Sequence, residues 1–173
     1  MKKIVLALCI LVAALNVNAQ NGKNVVKVNP LGLLFGIVDL TYERGLNENS
    51  SFEIVPQYGG FTVGDFKYST IGLGANYKYY SSGEAVKGFY LSPGLFYSSG
   101  KVTDSYNSSI SATNFGIKAV FGKQWIWESG FALDLNGGFG YQSFSYSGDN
   151  STISGLKGNG IFPSLRLGLG YNF

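Results

Sequence analysis

The sequence predicts an all-β chain of eight antiparallel strands that closes up-and-down into a barrel, and three features indicate this fold. Apolar and polar residues alternate in repeated runs, as they do where a strand points its side chains alternately to two faces. No segment shows the 3.6-residue apolar period of a helix. Charged residues make up only 13% of the chain, about half the ~25% that is typical of soluble domains.

Each alternating run is long enough to form a strand. The fourth run is a clear case, because Ile71 and Leu73 fall on one face while Gly72 and Gly74 fall on the other. The first two runs alternate less strictly, and only a turn near Gly36 separates them. The predicted strands span roughly residues 24–35, 37–46, 51–64, 66–81, 88–102, 112–127, 129–146 and 160–173.

The last run has the length of a strand that crosses a membrane. One of its faces is apolar from Ile161 to Phe173, while the other includes Ser164, Arg166 and Asn172. A usual globular strand has ~5–6 residues, whereas a tilted strand needs ~9–11 residues to cross a bilayer. Since only a closed sheet satisfies strand backbones in lipid, this run predicts a transmembrane barrel.

The predicted connections alternate between short turns and longer loops. Short turns are expected at 47–50, 82–87 and 128–129, and longer polar loops at 103–111 and 147–159. Outer-membrane barrels place short turns at one end and long loops at the other. The loops are rich in Ser, Asn, Gly and Tyr, a composition of surfaces that bind an extracellular ligand and equally of ordinary solvated loops.

The start of the chain has the pattern of an export signal. A basic Met1-Lys2-Lys3 precedes an apolar run from Ile4 to Leu15, and Val17-Asn18-Ala19 suits cleavage. The run is shorter than the ~20 residues of a retained membrane anchor. We therefore expect a cleaved signal peptide over 1–19 and a mature barrel over 20–173. The signal would remove Cys9, which leaves no cysteine for a disulfide, a thiol nucleophile or a metal site.

The mature chain is nearly neutral. Without Lys2 and Lys3, the 13 basic residues become eleven against ten acidic ones. No basic cluster is present, so we expect no nucleic-acid partner.

Alternation alone leaves two orientations of the faces open. A soluble lipocalin-like barrel would turn its apolar face inward to bind a hydrophobic ligand, whereas a membrane barrel would turn it outward. Glycines such as Gly72 and Gly138 crowd the polar face, and glycine suits the narrow interior of eight strands. Low charge also argues against a soluble surface. We therefore expect the apolar face outward and a polar, glycine-rich, filled interior.

Aromatic residues cluster where the apolar stripes end, as in the girdles of membrane proteins. The ten residues from Phe115 to Trp125 span about 25 Å at a ~40° tilt, the height of an outer-membrane apolar band. The predicted girdle at the short-turn end comprises Tyr77, Tyr79, Phe89, Trp125, Trp127, Phe131, Tyr171 and Phe173, and the one at the loop end comprises Tyr58, Tyr97, Phe115 and Tyr141.

The closing residues Tyr171-Asn172-Phe173 resemble the last strand of Gram-negative outer-membrane barrels. In that family the terminal aromatic is the signal that the barrel insertion machinery reads, so the resemblance implies this role for Tyr171 and Phe173. The whole mature chain resembles small barrels of the OmpA-transmembrane-domain/OmpX type. That resemblance implies the cell outer membrane as location and outer-membrane lipid as partner; we also expect a monomer.

The interior face carries eight charged residues, four of each sign. Two carboxylates of this set suggest an acid–base pair, but balanced signs favour a network of ion pairs that fills the lumen. In such a network we expect Arg166 and Lys118 to contact Asp134 and Glu53 or Glu43. The predicted network comprises Lys27, Asp39, Glu43, Glu53, Lys78, Lys118, Asp134 and Arg166.

The chain lacks histidine, which is the usual general base and a common metal ligand. Known outer-membrane barrel enzymes (acyltransferases, deacylases, phospholipases and omptin-like proteases) use histidine, so the chain departs from all of them. We therefore expect no catalysis, no cofactor and no metal site. A barrel of eight strands also leaves no room for an open pore. The expected role is structural or surface interaction, and the alternative is the soluble lipocalin-like binder.

Overall fold

A computed structural model describes residues 22–64, 66–103, 109–148 and 157–173. The predicted signal peptide, 1–19, lies outside the described residues. So do 104–108 and 149–156, which form the middle of the two predicted long loops.

Eight antiparallel strands, each paired with its neighbours in chain order, close into a ring. The ring closes where β1 pairs with β8, from Val25 opposite Asn172 to Val28 opposite Leu169. The strands are β1 (Asn24–Val28), β2 (Ile37–Gly45), β3 (Ser50–Val63), β4 (Phe66–Tyr80), β5 (Gly88–Thr103), β6 (Ser109–Ile126), β7 (Phe131–Gly148) and β8 (Lys157–Asn172). The predicted all-β, up-and-down architecture is confirmed.

The first predicted strand, 24–35, was too long, because a short helix α1 (Pro30–Leu34) follows β1. Pro30 has a backbone preset for the first turn of a helix and no N–H to donate to a strand. The Asn29 side chain caps the helix by accepting a hydrogen bond from Leu31 N at 3.1 Å. The expectation of no helix was therefore wrong at these residues.

The predicted long loops were also too long. Strand β5 continues to Thr103 and β6 begins at Ser109, while β7 continues to Gly148 and β8 begins at Lys157. The Ser and Thr residues of these segments predict loops, but the register is unbroken from Ser109 opposite Thr103 to Gly88 opposite Gln124. Pairing with the neighbouring strand overrides local composition here.

Along the strands, the polar residues of the alternating pattern are buried inside the ring and the apolar residues are exposed on its outside. On β4, Asn76 and Lys78 are buried while Leu73 and Tyr77 are exposed. Val25, Val86 and Ala132 form a small buried apolar cluster, and Ile126 packs against it. Among the described residues, the structure contains no helix of the length and apolarity needed to span a bilayer.

Candidate functional site

The lumen holds a buried cluster of six charged side chains, which we call the lumen ion cluster. It consists of Lys27, Lys78, Arg166, Glu43, Glu53 and Asp134. Strands β1, β2, β3, β4, β7 and β8 each contribute one member, because every second residue of a strand points inward. The three positive and three negative charges balance, as buried charges require.

Two lysines occupy the centre of the lumen ion cluster. The Nζ of Lys27 lies 2.6 Å from Glu43, 3.0 Å from Glu53 and 2.7 Å from Asp134. The Nζ of Lys78 lies 3.0, 3.1 and 2.7 Å from the same three carboxylates. Each ammonium has three donors, so the two groups bridge strands on opposite sides of the lumen.

Arg166 extends the cluster toward the loop end. Its Nη1 donates to Glu53 Oε1 at 3.1 Å, and its Nη2 donates to the hydroxyl of Thr41. The contact between Arg166 and Glu53 joins β8 to β3 across the ring.

Neutral side chains supply further donors to the carboxylates. Tyr80 and Ser51 each donate to Glu43 at 2.5 Å, and Tyr90 donates to Asp134 at 2.5 Å. Hydrogen bonds of this kind compensate a carboxylate for its lost water. Tyr90 fits only because residue 122 is glycine, since a Cβ there would lie 2.7 Å from the tyrosine Cζ.

The short-turn end of the lumen is closed by Val86 and Gln124. Gln124 accepts from Lys27 Nζ at 2.6 Å and donates to the carbonyl of Val86 at 2.6 Å. Val86 is buried and has a φ of 64°, a conformation that is unusual for a β-branched residue. Gln124 thus links the β4–β5 turn, which contains Val86, to Lys27 of the lumen ion cluster.

The three carboxylates converge as metal ligands do, with one oxygen of each within 4.8 Å of the others. The ammonium groups of Lys27 and Lys78 lie 2.6–3.1 Å from oxygens of these same three carboxylates. The positive charge that a cation would bring is therefore already supplied by the chain. The arrangement fits a structural plug, in which every charge has an opposite partner.

Two members of the predicted network lie outside the cluster. Asp39 accepts from Asn29 at 2.6 Å and makes no ion pair with the described residues. Lys118 likewise has no carboxylate partner in the described part of the chain, so the expected pairing with Asp134, Glu53 or Glu43 was wrong. Lys118 is six residues along β6 from Gln124, or about 20 Å, and thus lies beyond the reach of Asp134.

A cavity of about 220 Å³ lies in the lumen beyond the lumen ion cluster, toward the loop end. Lys118, Gln57 and Gln142 line it together with Phe96 and Phe162. Its wall therefore combines one cation, neutral polar groups and two aromatic rings.

The residues of the predicted girdles lie on the outer face. At the loop end Tyr58, Tyr97, Phe115 and Tyr141 are all exposed. Trp125, Tyr171 and Phe173 are partly buried. The exposed members at the short-turn end are Tyr77, Tyr79, Phe89, Trp127 and Phe131.

Several residues of the site were missed in the sequence. Gln124 and Asn136 lie on the inward face of their strands, so the alternation could have found them. Tyr80 and Tyr90 each follow another aromatic residue, Tyr79 and Phe89, and the pattern alone does not show which ring of each pair points inward. Val86 carries no sequence signal, because a β-branched residue predicts a negative φ.

A family model described as "Protein of unknown function (DUF3575)" matches residues 5–154, which is most of the chain. No curated protein matches, and no solved structure matches.

Proposed function

The chain belongs to the DUF3575 family of proteins of unknown function, and on this premise we propose that it is an outer-membrane β-barrel with a structural or surface-interaction role. The proposed architecture is of the small OmpA-transmembrane-domain/OmpX type. Its partners would be outer-membrane lipid and, through Tyr171 and Phe173, the barrel insertion machinery. The barrel would catalyse no reaction and would be a monomer.

The observation that carries the proposal is the inverted distribution of side chains. Ile117, Phe139 and Leu165 are exposed on the outside at 58%, 65% and 71%, while Lys27 and Glu43 are fully buried inside. A soluble protein hides apolar side chains and leaves charges in water. A barrel in lipid shows the reverse arrangement, with apolar side chains on its outer face and polar ones in its interior.

The dimensions of the apolar belt support the same proposal. Phe115 and Trp125 bound the outward face of β6, and ten residues of tilted strand span about 25 Å. Lys123 is the one outward charge between them, and its Nζ lies 5.0 Å from the Trp125 ring and 4.6 Å from that of Phe89. The long side chain of a lysine near a girdle can extend so that its ammonium group lies among the lipid headgroups.

The filled lumen supports a structural or surface role over transport. Lys27 and Lys78 each contact carboxylates of three strands at 2.6–3.1 Å, so the lumen ion cluster crosses the interior. An eight-stranded barrel is just wide enough for such side chains. Contacts with other molecules would then take place at the loops around 103–111 and 147–159.

The alternative is a soluble exported barrel that binds a hydrophobic ligand in its lumen. Such a barrel needs an apolar interior, whereas Lys78, Asp134 and Arg166 face the lumen of this one. The inward charges therefore favour the membrane barrel.

Gel mobility of the membrane fraction, with and without boiling, tests the proposal. We expect the protein to stay with outer membranes after carbonate or high-salt washing. We also expect it to migrate differently once heated, because a closed barrel resists cold detergent. Release by the wash, together with a single mobility, would favour the soluble barrel.

A further inference from the structure

Lys118 faces the lumen and is partly buried, but its charge is not balanced by contact. The carboxylates of the lumen ion cluster already contact two or three other cations each. Asp39 lies on β2, across the ring from β6, and its Oδ2 accepts from Asn29 at 2.6 Å. Within the described part of the chain, Lys118 thus has no carboxylate partner. Because a charge away from water is stable only beside an opposite charge, this position favours an anion.

Two glycines leave space beside Lys118. Lys118 lies opposite Gly140 in the β6–β7 pair, and Gly140 lies opposite Phe162 in the β7–β8 pair. Position 140 faces inward without a side chain, so space remains between Lys118 and Phe162. Gly74 leaves a second gap, opposite Phe96 on β5. All five residues line the cavity of about 220 Å³.

Two aromatic rings in the wall of this cavity are held in place by their neighbours. A Cβ at Gly116 would lie 2.5 Å from Phe96 Cζ, so the Phe96 ring lies directly over the backbone of β6. The ring of Phe162 packs edge-on against that of Phe144, with centroids 5.7 Å apart. Rings that are already packed lose little freedom when a ligand binds. Since aromatic rings pack favourably on one another, this wall suits a planar aromatic group.

The cavity is accessible to small solutes, unlike the lumen ion cluster. Lys118, Gln57 and Gln142 are only partly buried, and Phe162, on the inward face of β8, is 40% exposed. The six members of the lumen ion cluster are all buried. The cluster closes the lumen toward the short-turn end, so a solute would reach the cavity from the loop end.

We propose that the cavity beside Lys118 binds a small aromatic monocarboxylate, whose carboxylate contacts the lysine ammonium while its ring packs against Phe96 and Phe162. Gln142 Oε1 accepts from Asn114 at 2.8 Å, so the amide nitrogen of Gln142 is the group that would donate to the carboxylate. The inference goes beyond the proposed function, because the cavity lies inside the ring and does not depend on whether lipid or water surrounds the barrel.

Volume and charge restrict the ligand to this class. A cavity of ~150 Å³ holds a benzene ring, and sites for drug-sized molecules have ~300–1,000 Å³. About 220 Å³ therefore fits one ring with a small substituent. Lys118 among neutral amides balances a single negative charge, whereas a dianion would leave one charge without a partner.

Equilibrium dialysis of radiolabelled benzoate against the folded full chain tests the inference. We expect one binding site, at which acetate and benzyl alcohol compete at least roughly tenfold less well, because acetate lacks the ring and benzyl alcohol lacks the charge. Lys118→Gln should weaken benzoate binding roughly tenfold or more by removing a charged hydrogen bond. Lys123→Gln changes an outward lysine of the same strand and is the matched control, with benzoate binding expected to equal that of the parent chain.

Gly74→Val is a second variant, which fills the cavity and retains Lys118. A Cβ at residue 74 would lie 3.5 Å from its nearest neighbour, the Cβ of Val55. This is an ordinary contact, so the fold should tolerate the change. We expect Gly74→Val to lose benzoate binding while its thermal midpoint stays near that of the parent chain. Unchanged benzoate binding in this variant would place the ligand outside the cavity and contradict the inference.

The outcomes separate this inference from the proposed function. Absence of benzoate binding by the parent chain, or equal binding by Lys118→Gln, contradicts the inference. Equal competition by benzyl alcohol would indicate an apolar site, and equal competition by acetate would indicate a site for the carboxylate alone; either result contradicts it as well. A missing heat-dependent gel shift would instead contradict the proposed membrane barrel and would leave the dialysis result unaffected.

Discussion

At the level of single residues, each charged side chain of the lumen ion cluster depends on its oppositely charged partners to remain buried. Glu53, for example, contacts Lys27 at 3.0 Å, Lys78 at 3.1 Å and Arg166 at 3.1 Å. Removing one partner of a buried pair leaves the other charge uncompensated, which costs more than the pair contributes in the intact protein. Individual members should therefore be far more sensitive to substitution than exposed charges.

Arg166→Leu tests this dependence. The variant leaves Glu53 Oε1 without its guanidinium partner and Thr41 without its donor, so we expect a loss of about 3–5 kcal/mol of unfolding free energy. The measurement is the thermal midpoint of the folded barrel in detergent. Lys157→Leu removes an exposed charge from the same strand and serves as the control, with little change expected. An unchanged midpoint in Arg166→Leu would show that the network does not stabilise the fold.

The strict alternation along each strand predicts which residues face the interior. It does not predict which of the charged residues form ion pairs with one another. The parity of each strand places Lys27, Glu43 and Asp134 on the inward face, where the structure has them. Which charges meet depends on the height of each residue in the barrel and on the stagger between strands that are distant in sequence. Lys118 shows this, because its parity is inward but its height places it beyond the cluster.

At the level of strands, close approach within the lumen depends on glycine. Gly122 on β6 lies beneath Tyr90, and a Cβ there would come within 2.6 Å of the Asn136 Cβ. The glycine thereby allows the Tyr90 hydroxyl to reach Asp134 at 2.5 Å.

Gly122→Ala should therefore destabilise the barrel by about 1–3 kcal/mol through overpacking. Gly158→Ala is the matched control, since a Cβ at residue 158 meets no atom within 4 Å. It should be neutral or slightly stabilising, because alanine lowers the entropy of the unfolded chain. The measurement is the urea midpoint of unfolding of each variant, which should be lower for Gly122→Ala than for Gly158→Ala. Equal midpoints would show that the packing around Tyr90 does not require glycine at residue 122.

The sequence patterns did not predict two local features, namely the helix α1 and the positive φ of Val86. Asn29 and Pro30 start α1, and a capping residue followed by proline is a signal that could have been read. The φ of Val86, 64°, had no such signal. Its conformation follows from tertiary contacts, namely burial beside Val25 and Ala132 and the hydrogen bond from Gln124.

At the level of the whole molecule, the proposed membrane location requires that lipid, and not water, surrounds the apolar belt. Ala119 lies on the outward face of β6, about midway between Phe115 and Trp125, and is exposed. Ser143 is also exposed on the outward face, on β7 beyond Tyr141 and toward the loop end. The two positions therefore differ mainly in their height along the proposed bilayer.

The comparison of Ala119→Arg with Ser143→Arg tests the membrane location most directly. Arginine near the bilayer midplane costs ~2–4 kcal/mol, and this cost falls to ~0–1 kcal/mol near the interface. We therefore predict that Ala119→Arg lowers the thermal midpoint and the amount of folded protein in the outer membrane, whereas Ser143→Arg leaves both near the parent values. In water both arginines would be solvated equally, so equal behaviour of the two variants would contradict an outer-membrane barrel.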